Sequence, residues 1–196
     1  MVRILLDMSA EKWERSMTER IGRAIKDLRG KKRSAQWLAD RTDELGYPIG
    51  RATVSEIETG RRRSVTVAEM LILARALNTS PTSLLFPDPS DEITNVVEVV
   101  PGTEVTGFNA AQWFSGERGI SDLEPGRAAQ DRGEYVENTK RLRDCRRIQY
   151  WYDRLNEEIP GHVELTDEQR KTRAFYLSQI AHLKSTLVGP GPDGDD

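Results

Sequence analysis

Between residues 9 and 87 a helical apolar period is cut at short intervals by glycine, proline or a capping residue, and this punctuation leaves few folds open. Trp13, Met17, Ile21, Ala24, Ile25 and Leu28 recur at the spacing of one helix face, which predicts a helix over 9–29 opened by Ser9 and closed by Gly30. Ser34 then caps a second helix with Ala35, Leu38, Ala39 and Leu45 on its apolar side. "GYPIG" breaks the chain, since Gly and Pro both oppose helix continuation, and a short third helix covers 51–58 until Gly60 stops it. Thr66 and Glu69 have the spacing of a capping box for a fourth helix. Its expected apolar face is Val67, Met70, Leu71, Leu73, Ala74 and Leu77, and Asn78 ends it. Ser80 at the N-cap and Pro81 in the first turn open a fifth, with Pro87 beyond its end. Five helices joined by short turns bury their apolar stripes by packing on one another, so residues 1–87 read as a compact all-α domain.

The rest is organised differently. Residues 88–125 read as a linker carrying a small β and helical element. "NVVEVV" and "TEVTGF" flank Pro101-Gly102 as two strands around a tight turn, and a brief helix from Asn109 is ended by Gly116. Trp113 and Phe114 are expected to anchor this element to a neighbouring domain, and residues 120–130 look loose. Residues 126–188 read as a helical hairpin. One helix is expected over about 128–158, with Tyr135, Leu142, Cys145, Ile148, Trp151, Tyr152 and Leu155 repeating on its apolar side and Cys145 buried there. "IPGH" breaks it, and Thr166 with Gln169 starts a second helix carrying Ala174, Leu177, Ile180, Ala181, Leu183 and Leu187. The "GPGPDGDD" tail, 189–196, reads as disordered. The predicted class is therefore mostly α.

Chemistry is constrained by what is scarce. One cysteine, Cys145, forms no intramolecular disulfide and no thiolate cluster, and the two histidines, His162 and His182, lack ligand spacing. No phosphate-binding glycine loop and no nucleophile elbow is present, so the sequence carries no sign of an enzyme, a metal or a cofactor. No apolar run approaches a membrane span and the first residues lack a signal-peptide core, which makes a cytoplasmic location the expectation. Charge is divided along the chain. Residues 1–87 hold 16 Lys+Arg against 11 Asp+Glu, a net of +5, and residues 88–196 hold 13 against 21, a net of −8. A basic part joined to an acidic part suggests that only the first meets a polyanion.

The second and third helices, with the break between them, have the form of a helix-turn-helix. On the third helix Val54 and Ile57 point to one side and must be buried. Ala52 and Ser55 lie on the opposite side, flanked by Arg51 and Glu56. Such a face lacks bulk and suits the major groove of double-stranded DNA. Arg51 suits a bidentate contact to guanine, Ser55 either base type, and Ala52 a thymine methyl. Glu56 suits a cytosine amino group or the positioning of Arg51. Arg61, Arg62 and Arg63 follow the helix directly and are expected on phosphate, with Lys31 and Lys32 from the basic loop. The helix start at Ser34 offers backbone amides to another phosphate.

The stretch "LRGKKRSAQWLA…IGRATVSEIETGRRR…MLILARALNTSPTSLL" resembles the lambda-repressor-like helix-turn-helix family, also called the XRE or Cro class. The resemblance covers about residues 18–86 and rests on Leu28-Arg29, Ser34, Leu38-Ala39, Val54, Ile57-Glu58, Gly60 and the Leu-Ala-Leu helix that follows. It implies a five-helix DNA-binding domain and an ion pair between Arg29 and Glu58, which gives Glu58 a structural role. Two departures stand out. The family often has glutamine directly after the Ser34 position, on the DNA backbone, whereas here Ala35 stands there and Gln36 one step on. "TDELGYPIG" also adds about one helical turn and a proline loop, a form similar to regulators of actinobacteria and their phages.

The resemblance implies a sequence-specific DNA-binding transcriptional regulator, most simply a repressor acting by operator occlusion, with a phage or prophage immunity repressor as one identity. The C-terminal hairpin is then a dimerisation or partner-binding module, with a homodimer expected and a monomer still open. An alternative from another class is a protein-interaction adaptor, such as an antitoxin-like component that neutralises a partner through its acidic C-terminal half.

Overall fold

The computed structural model describes residues 2–88, 95–120, 129–159 and 164–187. The chain divides into two compact units, Met1–Arg118 and Gly119–Asp196. The expected linker residues 89–94, most of the loose segment 120–130, the "PGH" of the helix break and the tail 189–196 lie outside the described residues.

In the first unit α1 runs Val2–Arg29, α2 Ala35–Glu44, α3 Arg51–Glu58, α4 Val67–Leu77 and α5 Pro81–Leu85. The first helix starts well before Ser9, which lies inside it rather than at its start. The residues ahead of Ser9 include no helix breaker, so propagation needs no new nucleus. Its last turn is closed by Gly30, at φ +67°, and by Arg33, whose Nε donates to the Arg29 carbonyl at 2.9 Å. The core is built from Ile21, Ala24 and Ile25 of α1, Leu38 and Ala39 of α2, Val54 and Ile57 of α3, Met70, Leu73, Ala74 and Leu77 of α4, and Leu84 and Leu85 of α5. Leu45 is half-buried. Val67 and Leu71 are exposed, contrary to the expected apolar face of α4. The stripe that meets α1 and α2 is the 70, 73, 74, 77 row, and 67 and 71 fall beside it. Asn78 ends α4 in the left-handed conformation at φ 56°.

Beyond α5, β1 Val96–Val100 and β2 Thr103–Thr106 form an antiparallel hairpin turned at Pro101-Gly102. The helix α6, Gly107–Phe114, follows at once and is capped by the Thr106 hydroxyl, two residues earlier than the expected start at Asn109. This element is part of the first unit. Trp13 Nε1 donates to the Glu98 carbonyl at 3.1 Å, and Phe114 meets Phe86 edge-on at 6.1 Å. Arg20 Nε donates to the Leu85 carbonyl at 2.7 Å while its guanidinium lies over the Phe86 ring. Gly107 touches the Asp88 carbonyl so closely that a Cβ there would stand 2.4 Å from it.

In the second unit the single helix expected over 128–158 is two, α7 Ala129–Asn138 and α8 Lys140–Glu158. The break carries neither glycine nor proline. The Thr139 hydroxyl and amide both bond the Tyr135 carbonyl, at 2.7 and 3.0 Å, and this back-bonding diverts the chain. The helix α9, Asp167–Leu187, is opened by a reciprocal cap: Gln169 N donates to Thr166 Oγ1 at 3.2 Å, and Thr166 N to Gln169 Oε1 at 2.9 Å. It packs antiparallel on α8 and buries Tyr176, Ile180 and Leu183, and the Trp151 ring centroid lies 5.4 Å from that of Tyr176. Cys145 is exposed and Leu142 nearly half exposed, so the apolar stripe expected for this helix is narrower than the sequence suggests. The buried side of α8 passes through Asp144, Ile148, Trp151 and Leu155, and Cys145 faces away from it.

Candidate nucleic-acid interface

The surface around α3 is set by three fixations. First, Val54 and Ile57 are fully buried and seat the helix on α1. The approach is close enough to require Gly22: a Cβ on that residue would lie 2.1 Å from the Ile57 carbonyl oxygen. Second, Arg29 and Glu58 form a two-pronged ion pair, Nε to Oε1 at 2.7 Å and Nη2 to Oε2 at 2.8 Å, with both side chains largely buried. The hydrogen bond to Glu58 raises the Arg29 pKa above its ordinary value, so the guanidinium stays charged. Its Nη1 also donates to the Arg33 and Gly30 carbonyls, tying the basic loop to the end of α3. Third, the long turn between α2 and α3 is held from inside by buried Thr42, whose hydroxyl donates to the Ala39 carbonyl at 2.8 Å and accepts from Ile49 N at 3.0 Å.

These fixations leave Arg51, Ala52 and Glu56 exposed and Ser55 half-buried on the outer side of α3. Gly50 is its N-cap, with extended backbone and no capping side chain. Lys31 and Lys32 are exposed on the basic loop. Ser34 caps α2 by accepting from Trp37 N at 3.0 Å. Gln36 is exposed and donates to Asp40 on its own helix at 2.7 Å. Gly60 turns the chain at φ +67°, and the Glu56 carbonyl then receives the amides of Arg61 and Arg62 at 2.9 and 3.3 Å.

The three arginines after Gly60 are placed differently from one another. Arg61 is exposed. Arg62 Nη1 donates to Glu69 Oε1 at 2.7 Å. Arg63 faces two carboxylates of α1, Glu11 at 3.3 Å and Glu14 at 3.8 Å. Glu69 is buried and also closes the α4 capping box, Oε2 accepting from the Thr66 amide at 2.9 Å and hydroxyl at 3.1 Å. Burial alone pushes the Glu69 carboxyl up; the two Thr66 bonds and the Arg62 charge outweigh it and hold the carboxyl below its ordinary range.

Sequence reasoning missed Gly22, Thr42 and the Arg62–Glu69 pair. A helix-interior glycine on the buried face of a strongly periodic segment is the one signal that points to the first of these. The other two depend on contacts no spacing rule contains.

Residues 25–84 match a family model described as helix-turn-helix, the XRE-type, lambda-repressor-like class. Over that stretch, under half of the chain, the protein is similar to this family. The family supports a DNA-binding transcription regulator that binds double-stranded DNA. The helices α2 and α3, with the turn between them, lie within the matched residues. Comparison with curated proteins and with solved structures gave no match for the chain. Among the described residues no helix is long and apolar enough to cross a membrane.

Proposed function

We propose that this protein is a sequence-specific repressor that occludes an operator with α3 in the major groove. The observation that carries the reading is the outer side of α3. Arg51, Ala52, Ser55 and Glu56 are presented on a helix fixed from behind by Gly22, Val54, Ile57 and the Arg29–Glu58 pair. Small residues let the backbone approach base edges, and Arg51 in the first turn has the reach and fork geometry for a guanine. Lys31, Lys32, Ser34 and Gln36 are exposed on the basic loop and at the start of α2, and with the arginine run after Gly60 they give the proposed interface its phosphate contacts and positive charge. The α8–α9 hairpin serves as the homodimerisation module, which would pair two half-sites. A phage or prophage immunity role fits the same mechanism.

Genome-wide mapping of bound DNA tests the proposal. A recurrent palindromic motif near promoters supports a dimeric repressor, and enrichment without any motif removes the sequence-specific reading. The adaptor reading has no specific observation in its favour.

A further inference from the structure

Resting on the DNA-binding reading above, we infer that Glu69 and Arg62 form a brace behind the arm at 61–63, and that Arg61 is the member of the arm that grips phosphate. By sequence the three arginines are equivalent. In the fold they are not. Glu69 is only 8% exposed, and its two oxygens are fully engaged, one by Arg62 and the other by the amide and hydroxyl of Thr66. Moving Arg62 onto a phosphate would strand a buried carboxylate, the costly half of a broken ion pair. The arm's backbone is pinned as well. The Arg61 and Arg62 amides end on the Glu56 carbonyl, and the buried Thr18 hydroxyl lies 3.1 Å from the Arg63 carbonyl. Arg63 projects back toward Glu11 and Glu14. Arg61 leaves the same turn exposed, and among the described residues no carboxylate pairs with its side chain.

The distinction has a measurable consequence. A cation that neutralises a phosphate releases a counterion and steepens the salt dependence of binding; an arginine that stays on its own carboxylate does not. Arg62 and Glu69 are thus positioning residues. They fix the level at which Arg61 meets the DNA backbone, and they join the start of α4 to the end of α3.

The test is fluorescence anisotropy of the full chain with a labelled random-sequence duplex over a series of salt concentrations. Arg61→Ala should flatten the plot of log affinity against log salt by about 0.9. Arg62→Ala should weaken binding by about 3- to 10-fold at every salt concentration while leaving the slope unchanged. Arg62→Gln keeps a donor for Glu69 without the charge and should recover most of that loss, and Glu69→Ala should match Arg62→Ala. An Arg62→Ala slope that flattens as Arg61→Ala does overturns the inference, as does an Arg62→Gln variant no better than Arg62→Ala. Where Arg62→Ala fails to fold by circular dichroism, the Arg62→Gln slope decides: unchanged supports the brace, flattened overturns it. Wild-type protein that binds no duplex at low salt removes the DNA-binding reading itself, and the inference with it.

Discussion

The guanidinium of Arg29 and the carboxylate of Glu58 meet through two parallel hydrogen bonds, closing the last turn of α1 onto the last turn of α3. The pair is largely shielded from water, so each partner depends on the other. Arg29→Ala or Glu58→Ala should each cost about 3 kcal/mol, because each strands a mostly buried charge. The double variant should cost less than the sum of the two. Urea unfolding of the four proteins measures the coupling, and strictly additive losses would show that the pair contributes no interaction of its own.

Alanine in place of glycine in a helix interior ordinarily stabilises by about 0.5–1 kcal/mol. At Gly22 the sign should reverse. The added methyl would lie 2.1 Å from the Ile57 carbonyl, a backbone atom that moves only if α3 moves. Overpacking of this kind costs about 1–3 kcal/mol. Thermal melting of Gly22→Ala checks the sign, and a displaced α3 should reduce sequence-specific binding more than non-specific binding.

Arg51→Ala should remove about 1–3 kcal/mol of discrimination between the preferred DNA site and a scrambled one while leaving weak binding to both. Combined alanine replacement of Arg61, Arg62 and Arg63 should act oppositely, weakening every sequence and flattening the salt dependence. Competition binding with the motif recovered from genome-wide mapping separates the two. Full specificity in the Arg51 variant would place base reading elsewhere.

Acid should loosen the junction of α3 and α4. The folded pKa of Glu69 lies below its unfolded value, so its contribution is complete above the ordinary carboxylate range, about 4.3, and is lost as pH falls through the folded pKa. The stability gap between wild type and Glu69→Gln should therefore narrow between about pH 6 and pH 3. Denaturant titrations at several pH values measure it, and a gap that stays constant or widens on acidification contradicts the assignment.

Cys145 is exposed on α8, so a thiol reagent should label it in the native protein without denaturant. Cys145→Ser should change stability by no more than about 0.5 kcal/mol. Labelling that requires unfolding would show this face of α8 covered in solution.

Much of the architecture was legible because its signals are local. Thr66 and Glu69 stand three apart, Pro101-Gly102 sits between two β-rich runs, and Val54 and Ile57 share one side of a short helix; each carries its own geometric meaning. Failures arose where the deciding contact is not local or has an unmarked form. Nothing near Thr139 announces a break, since the hydroxyl that bends the chain belongs to a residue that also occurs within helices. Val67 and Leu71 read as core because they are apolar and periodic, and only the direction of approach of α1 and α2 leaves them outside. The outer side of α3 was visible from angle alone. The division of labour among Arg61, Arg62 and Arg63 was not, because it depends on a carboxylate in the next helix.

The Thr42 hydroxyl has an implication for how such a domain diversifies. It fastens the Ile49 amide to α2 from inside, and the Tyr47 amide adds a second tie to the Thr42 carbonyl at 3.2 Å, so the start of α3 is registered without reference to the side chain at 47. The side chains of Tyr47 and Pro48 are exposed, whereas Gly46 turns the chain at φ +82° and any side chain there would be strained. Changes of side chain at Tyr47 should therefore leave α3 where it was. On the proposed reading, contacts beside an operator can then be altered independently of the bases assigned to α3.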